Sequence, residues 1–261
     1  MSSGSGNAVS GRSSVPPGMP RTAWLIARRA ALESLRDRST LVLSILFAIA
    51  APTFFALGLV RPAALHADTI KKQIDLGAMI AFYLLVVGLG PAANAGSVAS
   101  GVFAGEMEKG NLAPLLATPA SNFAIFAGKV FGSVLPAFLY TAIAETVYLA
   151  EIAVTAGSNG LRLIPLLLAI AILLLVPATA LLVAAVASLV SSRARTYTGA
   201  QTVSSLLLAP IMGCLVAVAL AMRYWGAWWP FAPVAAVFAL DALLIARGAA
   251  TWRREEVMAR R

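Results

Sequence analysis

The side chains best suited to chemistry in this sequence are few and mostly acidic. Glu145 and Glu151 interrupt the apolar run "LYTAIAETVYLAEIAV", and Asp241 interrupts "AVFALDALLI". A carboxyl group in such a run is costly to hold in hydrocarbon, so it lines a pathway, binds a cation or reaches water at an interface. Glu145 lies about 22 Å along its run from the end nearer Lys129, at 1.5 Å per residue. Glu145 and Glu151 are six residues apart, roughly 240° round a helix, so they do not form one paired site. Enzyme chemistry lacks material, since no motif places paired acids at catalytic spacing. The lone cysteine, Cys214, excludes an internal disulfide framework and a thiolate metal cluster. It reads as a small packed hydrophobe, and the lone histidine, His66, reads as a solvated loop residue.

A second set of charges is grouped by design. "GEMEKGNLAPLLATP", residues 105–119, puts Glu106, Glu108 and Lys109 within four positions and follows them with Gly110. Asn111 is a good N-cap, and Pro114 falls in the first turn, where its missing N–H does no harm. Leu112, Leu115 and Leu116 then share one face at i, i+3, i+4, Thr118 follows, and Pro119 stops the helix after about two turns. So short a helix is marginal alone in water. It needs a surface to dock on, and the leucines supply the face. In "SNFAIFAGK", Ser121 or Asn122 can cap the next helix, whose start carries Phe123 and Phe126.

The elements that must position these residues are membrane spans. The 261 residues are 60% hydrophobic and 12% charged, with a mean hydropathy of +0.85. Apolar runs occupy 40–60, 76–104, 130–156, 163–190, 198–222 and 229–246, each long enough to cross about 30 Å of hydrocarbon. The net charge of +9 comes from basic residues clustered between these runs, which is a membrane pattern and not a nucleic-acid footprint. With the N-terminus in the cytoplasm, fifteen of the 20 Lys and Arg lie inside, and only Arg61, Lys71, Lys72, Arg162 and Arg223 lie outside. Both termini and residues 105–119 then face the cytoplasm. Each run carries a proline, Pro52, Pro91, Pro136, Pro177, Pro210 and Pro233, and each predicts a kink. The small residues from Gly88 to Gly101 let helices approach closely, within the chain or between subunits.

The flanks have their own signatures. Residues 1–20, rich in Ser, Gly and Pro, read as a disordered tail with no secretory signal. "RTAWLIARRAALESLRDRST" sets Trp24, Leu25, Leu32 and Leu35 against Arg28, Arg29 and Arg36, which predicts an amphipathic helix lying in the membrane interface. Tyr224, Trp225, Trp228 and Trp229 in an outer loop read as an aromatic belt.

The run "EMEKGNLAPLLATPASNFAIFAGKV" resembles the signature of ABC-2-type permeases, the membrane subunits of a class of ATP-driven exporters. That signature is Glu-x-Glu-(basic)-Gly-(Thr/Ser)-Leu-(acidic)-x-Leu-Leu-x-Thr-Pro, followed by Gly-Lys. Glu106, Glu108, Lys109, Gly110, Leu112, Leu115, Leu116, Thr118, Pro119, Gly128 and Lys129 match it. Asn111 replaces the usual hydroxyl residue, and Ala113 stands where an acid is common.

The resemblance implies that residues 105–119 are a coupling helix seated on a separate ATPase subunit, with Glu106 and Glu108 meeting its basic groups. It also implies a second permease copy, in a homodimer or heterodimer, in the cell membrane. This chain would bind no cofactor, and ATP and Mg would sit on the partner ATPase. No phosphate-cradling G-x-x-x-x-G-K-[ST] occurs here, because Phe123 and Val130 flank the only Gly-Lys pair in place of glycine and a hydroxyl residue. The chain is therefore expected not to be an enzyme by itself. The expected fold is an all-α integral membrane protein with six transmembrane helices, an amphipathic interfacial helix before them and a short cytoplasmic coupling helix between spans 2 and 3. The rival readings are an ion-coupled secondary transporter using Glu145 and Asp241, for which no internal repeat speaks, and a non-catalytic membrane scaffold.

Overall fold

The computed structural model describes residues 19–36, 38–109, 120–194, 196–222 and 230–252. Helix α1 spans Met19–Arg36, and α2 spans Arg38–Phe55. A π-helical turn, Ala56–Val60, carries α2 into α3, Arg61–Leu65. Then come α4 (Ile70–Gly101), α5 (Ala104–Glu108), α6 (Asn122–Thr155) and α7 (Gly157–Arg162). Helices α8 (Leu166–Ser191), α9 (Tyr197–Met222) and α10 (Phe231–Thr251) complete the fold. Every regular element among the described residues is helical.

Among the described residues, six stretches are long and apolar enough to cross a membrane: Leu41–Leu65, Ile70–Glu108, Asn122–Thr155, Leu166–Ser191, Tyr197–Val218 and Phe231–Thr251. The chain is a multi-pass membrane protein. The expected tail lies outside the described residues up to position 18, and the chain is helical from Met19. The aromatic loop residues 224, 225, 228 and 229 also lie outside the described residues.

Span number follows the sequence, while span ends depart from it for local reasons. The first span continues to Leu65 because the π turn one helical turn beyond Pro52 lets the rod pass without breaking. The third helix starts at Asn122, eight residues before its apolar run. Ser121 Oγ accepts the Ala124 N–H at 3.1 Å and so serves as the N-cap. At 34 residues α6 is about 51 Å long, roughly 20 Å more than the hydrocarbon requires. The fourth span begins at Leu166 because Pro165 has no N–H and pushes Ile164 out of the helical region. Pro233 is the third residue of α10, where no intrahelical bond is lost, so the kink expected there has no cause. The other five prolines are interior to their helices.

Helices α4, α6 and α8 form the centre, and α2, α9 and α10 leave much of their apolar surface uncovered by this chain. The small-residue stretch of α4 serves that centre. A Cβ at Gly88 would lie 2.7 Å from Val176 and 2.8 Å from Glu145 Oε1, so α4 seats directly against α8 and α6 only because the side chain is missing.

Helix α1 packs along the first part of α6. Ala27 and Ala31 are buried there, and a Cβ at Gly128 would meet the Ala23 carbonyl oxygen at 2.7 Å. The two faces expected of this helix are therefore three. An alanine face packs on α6, Trp24, Leu25 and Leu32 point away exposed, and Arg28 and Arg29 are also exposed. Arg29 pairs with Glu33 at 2.9 Å, one turn on.

Candidate functional site

The site is a break in the second span. Helix α4 ends at Gly101, Val102 and Phe103 turn, and α5 restarts at Ala104. A break inside protein strands backbone donors and acceptors that must find partners elsewhere. Here one hydroxyl on another span supplies most of them. Ser191, the last residue of α8, accepts the N–H groups of Phe103 at 3.2 Å and Ala104 at 3.0 Å. Its own O–H donates to the Ser100 carbonyl at 2.6 Å. The hydroxyl thus uses its donor and both acceptor sites on one short stretch of backbone.

Lys129 of α6 supplies the rest. Its side chain is only 3% exposed. Its Nζ donates to the Val102 carbonyl at 2.7 Å and lies 4.9 Å from the centre of the Phe103 ring. A cation at the negative end of α4 is well placed electrostatically, and the aromatic face adds a smaller attraction. The third partner of Nζ is Glu106 Oε2, on α5. A buried ammonium without such partners would cost several kcal/mol, about 3–5 when a pair is broken.

Aromatic residues close the floor. Phe103 stacks on Phe126 of α6 at 5.6 Å between ring centres and meets Trp252, just beyond α10, at 5.5 Å. Asn122 Nδ2 donates to the Trp252 carbonyl at 3.2 Å. Gly248 admits the Phe126 ring, whose Cζ lies 2.4 Å from where a Cβ would stand. Four spans therefore converge on residues 102–106.

The expected docking residues divide here. Glu106 is half-buried, and its base is Lys129 of the same chain. Glu108 and Lys109 are exposed. On a helix of about 100° per residue, positions i and i+2 face nearly opposite ways, so the two glutamates do not share a face. Gly110, Asn111, Leu112, Leu115, Leu116, Thr118 and Pro119 lie outside the described residues. The parts that sequence reasoning missed are Ser191, Phe103, Trp252 and the destination of Lys129. A lysine at the mouth of an apolar run, with an acid two dozen residues earlier across one loop, was the available signal.

The membrane carboxyls do not gather into one site. Glu145 is buried against Gly88 and Val176, and its Oε1 has no hydrogen-bond partner among the described residues. Thr141 donates to the Gly88 carbonyl at 3.4 Å, and Tyr148 to that of Ile80 at 3.2 Å. Asp241 is 1% exposed on the inner face of α10, with neither oxygen bonded among the described residues. Glu151 accepts a hydrogen bond from Thr53 of α2 at 2.6 Å and is half-buried. No group of three or more metal-ligating side chains occurs among the described residues. Cys214 is exposed on α9, contrary to its expected burial, because the face of α9 that carries it is uncovered among the described residues. His66 is exposed, with Nδ1 2.8 Å from the Pro62 carbonyl oxygen at the end of α3.

No protein-family model and no curated protein matches the chain.

Proposed function

We propose that the chain is the permease subunit of an ABC-2-type exporter, working in the cell membrane with a separate ATPase subunit and a second permease copy. Both termini face the cytoplasm in this reading, and α1 lies in the inner interface with Trp24, Leu25 and Leu32 toward lipid and its arginines toward phosphates. Residues 105–119 form the coupling element. ATP and Mg belong to the partner, nucleic acid plays no part, and the chain performs no chemistry by itself.

One observation carries the reading. Two matched residues 23 positions apart, Glu106 and Lys129, meet at the α4–α5 break, and the matched Gly128 beside Lys129 seats α1 against α6. Residues that match a coupling signature thus join the head of the docking segment to the ends of four spans. A push on residues 105–119 would reach those spans through short, buried contacts.

The test uses the affinity-tagged full chain, recovered from membranes of its host. The wild type should bring down an ATP-hydrolysing subunit, and Leu115→Asp should lose it while still inserting. Equal recovery with both versions would overturn the assignment of the docking segment.

A second reading, an ion-coupled carrier, is favoured by the unpartnered oxygens of Glu145 and Asp241. It requires transport that persists without nucleotide and stops when the ion gradient is collapsed.

A further inference from the structure

The two glutamates of the 105–119 segment meet opposite fates, and the break above them is held largely by other spans, beside the local Val102 N–H to Ala99 carbonyl bond. A continuous helix would bond Phe103 and Ala104 to its own preceding turn. Here those donors go to Ser191 of α8, and the carbonyls of Ser100 and Val102 go to Ser191 and Lys129. Turning α5 against α4 therefore breaks few bonds internal to either helix. Beside the packing of Phe103 on Phe126 and Trp252, what opposes the turn is the pair of polar side chains reaching in from α6 and α8.

We propose that Lys129 and Ser191 clamp a hinge at residues 101–104, with Glu106 as the arm of the clamp, and that Glu108 is the carboxylate left to face a partner. The clamp sets the angle at which α5 leaves span 2. Glu106, Lys129 and Ser191 are thus positioning residues. The burial asymmetry fits this role: the Lys129 side chain is 3% exposed and that of Glu106 34%, so the arm can swing into water while its anchor cannot. Glu108, two residues on, is exposed beside Lys109. The clamp stands on the geometry alone, and the partner-facing role of Glu108 rests on the exporter reading.

The experiment separates the two parts. In the full chain carrying Cys214→Ser, Ala104→Cys places a thiol at a buried hinge position. Its modification by a maleimide in nanodiscs reports opening of the break. Glu106→Gln and Lys129→Met should each label about tenfold faster, the scale of one lost charge-assisted hydrogen bond. The double variant should label no faster than the quicker single, because the two act as a unit. Glu108→Gln should label at the parental rate. Parental rates for both single clamp variants, or a double variant equal to their product, would overturn the clamp. Glu106→Gln, nearly isosteric and only half-buried, carries the test should Lys129→Met fail to insert.

In the second arm, Glu108→Lys should lose the co-purified ATPase while Glu106→Gln keeps it. Equal loss from both would overturn the division between the glutamates. Labelling as expected, with no ATPase recovered by the wild-type chain, would support the clamp and overturn the exporter reading together with the role of Glu108.

Discussion

At the scale of residues, Lys129 decides most. Its Nζ satisfies a helix-end carbonyl, a carboxylate and an aromatic face at once. Lys129→Met removes all three and leaves Glu106 without its base. We expect a loss of about 1.5–3 kcal/mol of stability, the range for hydrogen bonds to charged groups, seen as a lower thermal midpoint of the purified chain. Ser191→Ala is milder in charge but strands two buried N–H groups. It should cost about 1–3 kcal/mol and should speed hydrogen exchange at Phe103 and Ala104 selectively. Exchange unchanged at those two amides would show that the hydroxyl is not their main partner. Glu106 and Glu108 were indistinguishable by type. Only the helix between them, at 100° per residue, gives them opposite directions.

At the scale of elements, the glycines fix how closely helices seat. Gly88 lets α4 approach Glu145 and Val176, and a Val there must push a side chain or a helix aside. Overpacking of this kind typically costs about 1–3 kcal/mol. Gly88→Val should lower the melting midpoint more than Gly213→Val, since nothing lies within 4 Å of a Cβ at Gly213. Gly128 plays the same part between α6 and α1. A Leu there should release α1 from α6, and α1 should then become sensitive to trypsin at Arg28 and Arg29 while the six spans remain protected. The starts of α6 and α8 could be read from Ser121 and Pro165, residues whose backbone effects are local. The start of α5 could not be read, because its break is stabilised by Ser191, more than 80 residues away.

At the scale of the whole molecule, the central placement of α4, α6 and α8 leaves the faces of α2 and α9 to lipid or to another chain. Six crossings require that the two ends of the span set lie on one side. In the proposed orientation, single-cysteine versions at Arg21 and Lys109 should be modified by an impermeant maleimide from the cytoplasmic side, and one at Lys71 from the opposite side. Labelling of Lys109 and Lys71 from the same side would remove a crossing from the second span and, with it, the proposed placement of the docking segment.

Composition and the spacing of apolar runs determined that this chain is helical, with six stretches long and apolar enough to cross a membrane among the described residues, because hydrocarbon demands length and apolarity from each span independently of its neighbours. Charge distribution set an expected orientation for the same reason. The tertiary structure alone decided which helices are central, where Lys129 sends its ammonium, and that Asp241 and Glu145 are buried while Cys214 is not. Those outcomes depend on which faces of different helices meet. Helix contact in a bilayer has little hydrophobic drive to write a pattern into any one segment.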